Sequence, residues 1–221
     1  MVSQIKEQSL IDYVQNYLEA FKQWRVYGDG YIVPEKWSNT AARIVTEKYL
    51  RRDEKHVARL IARVVGTIAE AGYMNGYYSF KQDAKDFAIR LADAVYNQEF
   101  AFNSPVWFNV GVEKRPQVSA CFILKVDDSM EDIIEWWSEE ARIFKGGSGA
   151  GINLSKLRGS NEYISGKGTS SGPVSFMRAA DSIAGSIKSG GKTRRAAKMV
   201  VLNVDHPDIE EFIWCKAKEE K

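Results

Sequence analysis

The chain has 221 residues, 44% of them hydrophobic, which is ample for a packed core in one large domain or in two smaller ones. Its formal net charge of +2 excludes a global attraction to nucleic acid or to an anionic membrane, so any anion site has to be built from local clusters. Its 2 Cys are too few for a disulfide framework or a four-ligand zinc site, its 2 His are too few and too scattered to help, and no apolar run approaches the roughly 18 to 20 residues of a membrane span.

The opening Met1-Val-Ser-Gln-Ile-Lys-Glu7 lacks the basic and then apolar segments of a signal peptide, so a cytoplasmic location is expected. Residues 1–98 read as a helical region. Ile11, Val14, Tyr17, Leu18 and Phe21 keep the spacing of one helix face. Tyr27-Gly-Asp-Gly30 and Pro34 are turn-forming, and a second helical pattern starts near Ser38 and runs through Ala42, Val45, Tyr49 and Leu50. Leu60, Ile61, Val64, Val65 and Ile68 mark a third helix from His56 to Ala71, and a fourth is expected from Asp83 to Asn97.

The texture changes at FAFNSPVWFNVGVEKRPQVSACFILKV, so a second region is expected over residues 99–221. Asn103-Ser-Pro105 is turn chemistry, and Ala120 to Val126 is a short apolar run that favours a strand. Asp127, Asp128 and Ser129 are N-cap candidates for a helix that buries Ile133, Ile134, Trp137, Ala141 and Phe144. A glycine loop, Gly146 to Gly151, then leads into a strand at Ile152-Asn-Leu154. After a long loop, Pro173 opens an amphipathic helix through Val174, Met177, Ile183 and Ile187. A last strand, Met199 to Leu202, precedes a helix from about Pro207. Strand and helix alternate three times, which predicts an α/β arrangement with a parallel sheet and right-handed crossovers.

Three loops could hold a ligand: residues 103–109, 146–151 and 190–195. Taken singly, a glycine-rich loop is ordinarily a flexible turn. Three on one frame, interleaved with Lys156, Arg158, Lys192 and Arg194, point to a polyanionic nucleotide, because phosphates need exposed amides beside cations. Gly191-Lys192-Thr193 imitates the end of a P-loop, yet the position five residues before Gly191 is Ser186 and not the required glycine. The order is inverted as well, with a helix before the glycines and a strand after them. Cys121 sits in a strand that reads as buried, where a cysteine is commonly a small apolar residue. Cys215 reads as helix packing, the Trp136-Trp137 pair as core plus rim, and His206 in Asp205-His-Pro-Asp208 as the punctuation of a helix start.

Taken together, FNSPVWFNVG, QVSACFILKVDDSMEDI, GGSGAGINLSKLRG and SGGKTRRAAKMVVLNVDHPDIEEFI resemble ribonucleotide reductase, specifically its adenosylcobalamin-dependent class II, with the iron-dependent class I as the nearest alternative. SNTAARIVTEKYLRRDE is similar to the N-terminal region of the same class. The resemblance implies a helical region followed by the first three or so strands of a ten-stranded α/β barrel. It also implies radical reduction of ribonucleotides to 2′-deoxyribonucleotides for DNA synthesis. By the same resemblance Cys121 is half of a redox dithiol, and Ser104, Ala120, Cys121 and Gly149 touch the substrate. Asp128, Ser129, Lys156 and Arg158 match a site for a deoxynucleoside triphosphate effector at a dimer interface. Gly190, Gly191, Lys192, Thr193 and Arg194 match the mobile loop that couples effector to substrate choice, an allosteric element between two sites.

The family's radical cysteine, the asparagine and glutamate beside it, and the second thiol of the redox pair have no match in this sequence, and Cys215 corresponds to none of them. The resemblance therefore implies an incomplete barrel with an open strand edge, inactive until a complementing C-terminal barrel fragment joins it, and a homodimer once complete. A naturally split reductase and a truncated one both fit. A non-catalytic nucleotide-binding regulatory module derived from the enzyme is the alternative. No metal ligands, membrane or nucleic-acid partner are expected, since Lys192-Thr-Arg-Arg195 is a single basic cluster in a nearly neutral chain.

Overall fold

A computed structural model describes residues 8–166, 168–187 and 196–219. Two compact units part between Val118 and Ser119 and not at the change of sequence texture near residue 98. The difference has a packing cause, because Val106, Trp107 and Val110 belong to the core of the first unit.

In the first unit, α1 (Leu10–Phe21) is capped by Ser9, whose Oγ accepts from Asp12 N at 3.1 Å, and it buries Leu10, Val14 and Leu18. The turn at Gly28 and Gly30, with φ of 54° and 82°, closes an antiparallel hairpin of β1 (Trp24–Tyr27) and β2 (Tyr31–Pro34). These two strands were absent from the sequence expectation, since four residues are too few to show a period. α2 (Asn39–Ile44) runs into one π turn, Val45–Tyr49. The central helix α3 (Val57–Met74) is buried along most of its length and packs against α1 and α4 (Lys81–Tyr96). A Cβ added to Gly66 would stand 2.6 Å from Ile11 Cα, so α1 and α3 approach backbone to backbone there. α5 (Ser104–Asn109), expected only as a turn, is a short helix capped by Asn103 with Pro105 in its first turn.

His56 caps α3, its Nδ1 accepting from Ala58 N at 3.0 Å, while its ring lies edge-on to Trp24 with centroids 4.4 Å apart. Burial pushes this imidazole below its ordinary value, against a smaller opposing pull from Glu19. The folded state thus binds the proton less well than the unfolded chain. Its contribution is complete above about pH 6.5 and is lost as pH falls from there through the lower folded value. Protonation also turns the capping nitrogen into a donor. A stability loss of about 1 kcal/mol below pH 6.5 is expected, and His56→Asn, which caps without titrating, should flatten it. Urea titrations at pH 8 and pH 5.5 test this, and an equal loss in both proteins would refute it.

In the second unit, β3 (Cys121–Leu124), α6 (Met130–Lys145), β4 (Gly149–Asn153), α7 (Gly172–Ser186), β5 (Lys198–Val201) and α8 (Ile209–Glu219) alternate as expected. The described strands form one parallel sheet in the order β3-β4-β5, with Cys121 opposite Gly149 and Ala150 opposite Lys198. Gly149 to Gly151 therefore belong to a strand and not to the preceding loop. Glycine leaves room there, because a Cβ on Gly151 would come within 3.0 Å of Ile123 Cδ1 and press that side chain aside. The buried stripe of α6 is Ile133, Trp136, Glu140, Ile143 and Phe144, one residue round from the expected one. Glu140 hid it, being a carboxylate on a buried line, where it pairs with Lys198 at 2.7 Å. One sheet face packs on the helices through Leu124, Ile152 and Val200. The other, carrying Cys121, Ile123, Met199 and Val201, is exposed, with Ile123 78% accessible.

Candidate functional site

Because β3 and β4 are parallel, their C-terminal ends lie side by side, and so do the segments that follow them. This joins residues 127–129 to residues 156–158. Lys156 Nζ donates to Asp127 Oδ1 at 2.6 Å, and Arg158 Nε donates to Asp128 Oδ2 at 2.6 Å. The backbone N of Arg158 also donates to Asp128 Oδ1 at 3.3 Å, and Arg158 Nη1 donates to Tyr163 O at 3.3 Å. Ser129 caps α6, its Oγ accepting from Asp132 N at 3.1 Å. The predicted group Asp128, Ser129, Lys156 and Arg158 is thus brought together. Asp127 was expected only as a cap candidate; the signal that could have found its second role was its place after β3, across from Lys156.

The hydrogen bond and charge of Lys156 hold the Asp127 carboxyl below the usual range, and Asp127 in turn raises Lys156. Both groups are exposed, so the pair adds little stability. Its effect is positional: two cations and a carboxylate pair stand outside the carboxyl ends of parallel strands, where α/β sheets bind ligands. An anion can enter by exchanging places with the carboxylates, and a hydroxyl can donate to the carboxylate that is released.

The opposite end of the same strands holds the other predicted group. Gly149 N donates to Ala120 O at 2.8 Å, which sets Ala120, Cys121 and Gly149 side by side. Cys121 is a free, exposed thiol, contrary to its reading as part of a buried strand, because it lies on the sheet face that no helix covers among the described residues. A Cβ on Gly149 would come within 3.1 Å of Ala197 O, so the residue before β5 also closes on this end. Cys215 is a second free thiol, partly buried on α8. Ser104 lies in the first unit, where its Oγ shares a 2.9 Å hydrogen bond with Tyr49 Oη. The predicted loop Gly190, Gly191, Lys192, Thr193 and Arg194 lies outside the described residues. Among the described residues no group of three His, Cys, Asp or Glu could hold a metal, and no helix is long and apolar enough to cross a membrane.

Comparison with known proteins follows the same division. The family model for the ribonucleotide reductase all-alpha domain matches residues 35–115, and that for the ribonucleotide reductase barrel domain matches residues 119–221. A vitamin B12-dependent ribonucleotide reductase of Streptomyces coelicolor is 58% identical over 194 residues, covering 85% of this chain and 20% of the relative. One from Rhodopirellula baltica is 46% identical over 224 residues, covering 86% and 22%. A vitamin B12-dependent ribonucleoside-diphosphate reductase of Thermoplasma acidophilum is 40% identical over 171 residues, covering 73% and 22%. The chain thus spans about one fifth of the length of these relatives. Among solved structures, the class Id ribonucleotide reductase alpha subunit of Actinobacillus ureae superposes with a TM-score of 0.63 at 20% identity, over 81% of this chain and 30% of that one, a likeness of fold.

Proposed function

The chain belongs to the ribonucleotide reductase family, and from that premise we propose that it is the nucleotide-handling N-terminal part of an enzyme that reduces ribonucleotides to 2′-deoxyribonucleotides. The observation that carries this reading is the pair of groups at opposite ends of one short sheet. Asp128, Ser129, Lys156 and Arg158 are assigned to a deoxynucleoside triphosphate effector. Arg158 presents a fork that suits phosphate, and Asp128 an acceptor that suits a sugar hydroxyl. Ala120, Cys121 and Gly149 are assigned to the ribonucleotide substrate, and the family likeness assigns Ser104 the same role. Cys121 is one of two thiols that supply electrons and end as a disulfide. Residues 190–194 are assigned to the coupling between effector and substrate.

The relatives are named for vitamin B12, and adenosylcobalamin is the cofactor this likeness brings to the chain. The two imidazoles present do not fit a cobalt ligand. His56 Nδ1 accepts from Ala58 N, and both ring nitrogens of His206 are engaged by backbone groups. No step of the proposal runs through the cofactor. Two thiols in unlike settings, Cys121 exposed at a strand end and Cys215 on α8, do not make both a radical centre and a redox pair, so these 221 residues alone are assigned no turnover. The exposed Ile123, Met199 and Val201, and the outer edges of β3 and β5, which pair with no strand among the described residues, support a further barrel segment as the partner that covers them. A homodimer is the assembly expected of the covered enzyme.

Calorimetric titration of the chain with dATP tests the effector assignment. Arg158→Ala should lower affinity by about tenfold to a hundredfold, the worth of hydrogen bonds to a charged group. Unchanged affinity, or no binding by the unsubstituted chain, would remove the assignment.

A further inference from the structure

Beyond the sheet, the segment after β4 is fastened to the segment after β5 by a run of side-chain bonds. Ser155 Oγ accepts from Asn203 N at 2.7 Å. His206 Nε2 lies 2.8 Å from Leu157 O, and Asp208 accepts from both Ser160 N at 2.8 Å and Ser160 Oγ at 2.9 Å. The partners fix the histidine tautomer. Leu157 O can only accept and Asp208 N can only donate, at 3.0 Å to Nδ1, so the proton resides on Nε2. His206 is 7% exposed and Asp208 6%, so the two bonds of the imidazole form away from water and those of the carboxylate partly so, and leaving one unmade is costly.

The backbone is shaped around the carboxylate. Gly172 has φ of +76°, and a Cβ there would stand 2.3 Å from Asp208 Oδ2; a Cβ on Gly159 would come within 3.0 Å of Pro207 Cβ. Along the segment the attachments alternate. Ser155 and Leu157 reach toward the β5 side, while Lys156 and Arg158 reach to Asp127 and Asp128 on the β3 side. The segment carrying both cations is therefore held on its other side by bonds to the segment after β5.

We infer that His206 and Asp208 are positioning residues for the anion site: they fix the backbone from Leu157 to Ser160 so that Lys156 and Arg158 face the residue 127–129 turn in one arrangement. Asp205-His-Pro-Asp208 is then a clamp as well as the lead-in to α8. The inference rests on the effector reading above. Its physical basis is that a fork held in place loses less freedom when it binds, so loosening the clamp costs affinity without removing any ligand-contacting group.

The test measures dATP and inorganic tripolyphosphate binding to the 221-residue chain by calorimetry, with thermal melting of each variant as control. Asp208→Ala should weaken both by at least about tenfold, with folding retained at the temperature of measurement. Ser160→Ala, which removes only the hydroxyl bond, should weaken them about threefold, and Ser160→Thr should restore binding. If Asp208→Ala does not fold, the Ser160 pair decides. Wild-type affinity in both Asp208→Ala and Ser160→Ala, alongside a loss in Arg158→Ala, would overturn the clamp and leave the effector reading intact. Wild-type affinity in Arg158→Ala would overturn the effector reading itself.

Discussion

Replacing Cys121 with serine in the complete reductase should abolish multiple turnover with a dithiol reductant, by at least about a thousandfold, while nucleotide binding stays near its original affinity. The geometry explains why binding is spared. Cys121 opens β3 opposite Gly149, and the adjoining ladder bond, Gly149 N to Ala120 O, involves no side chain. A hydroxyl in place of the exposed thiol therefore leaves the strand pairing as it is. The chemistry is another matter. Removing a 2′-hydroxyl as water and leaving hydrogen in its place takes two electrons and two protons, which two thiols supply as they close to one disulfide. Serine can close no such bond. Deoxynucleotide formation over many cycles, together with calorimetric nucleotide binding, checks the expectation. Ordinary turnover by Cys121→Ser would assign the electrons to other thiols.

Features of long period were legible in the sequence, and those resting on a few residues or on tertiary contact were not. α1 and α3 announce themselves because their apolar faces repeat over three turns or more, and the parallel sheet follows from three alternations of strand and helix. The strands β1 and β2 are four residues long each and the helix α5 six, too short for any period to build up. Only the first half of β4 was masked, by Gly149 and Gly151, which read as a loop although their lack of a side chain leaves room for Ile123 and Ala197 O.

The site was legible in the same uneven way. Arg158 and Asp128 came from motif likeness, and parallel pairing explains why residues thirty apart in sequence meet. The exposure of Cys121 was not visible, since an apolar strand reads the same whether one face is covered or both. Nor was the clamp. Ser160 and Asp208 are 48 residues apart, and a His-Pro-Asp sequence before a helix is sufficiently explained by capping until the far partner is known.

The largest stability effect is expected at Arg63, in the first unit. Arg63 is 9% exposed and its partner Glu54 4%. Arg63 Nε donates to Glu54 Oε1 at 2.8 Å, and Nη1 donates to Val110 O at 2.7 Å and to Trp107 O at 3.3 Å. Glu54 Oε2 also accepts from Arg51 N at 3.0 Å. One side chain of α3 thus ties down both the turn before His56 and the end of α5. Arg63→Ala would leave a buried carboxylate without its cation and two carbonyls without a donor, and should cost about 3–5 kcal/mol. Replacing both partners by apolar residues, Glu54→Leu with Arg63→Met, should cost less than the single change, because no charge is then left behind. Urea unfolding followed by amide exchange along α3 would report the loss in this unit by itself, and a loss under about 1 kcal/mol would show the pair to be dispensable. The consequence reaches the substrate assignment, since Ser104 stands on α5. Loosening the α5 end should weaken ribonucleotide binding while the affinity for the triphosphate effector, whose cations lie on the second unit, is unchanged. Parallel loss of both affinities would instead mean that Arg63→Ala unfolds the whole chain.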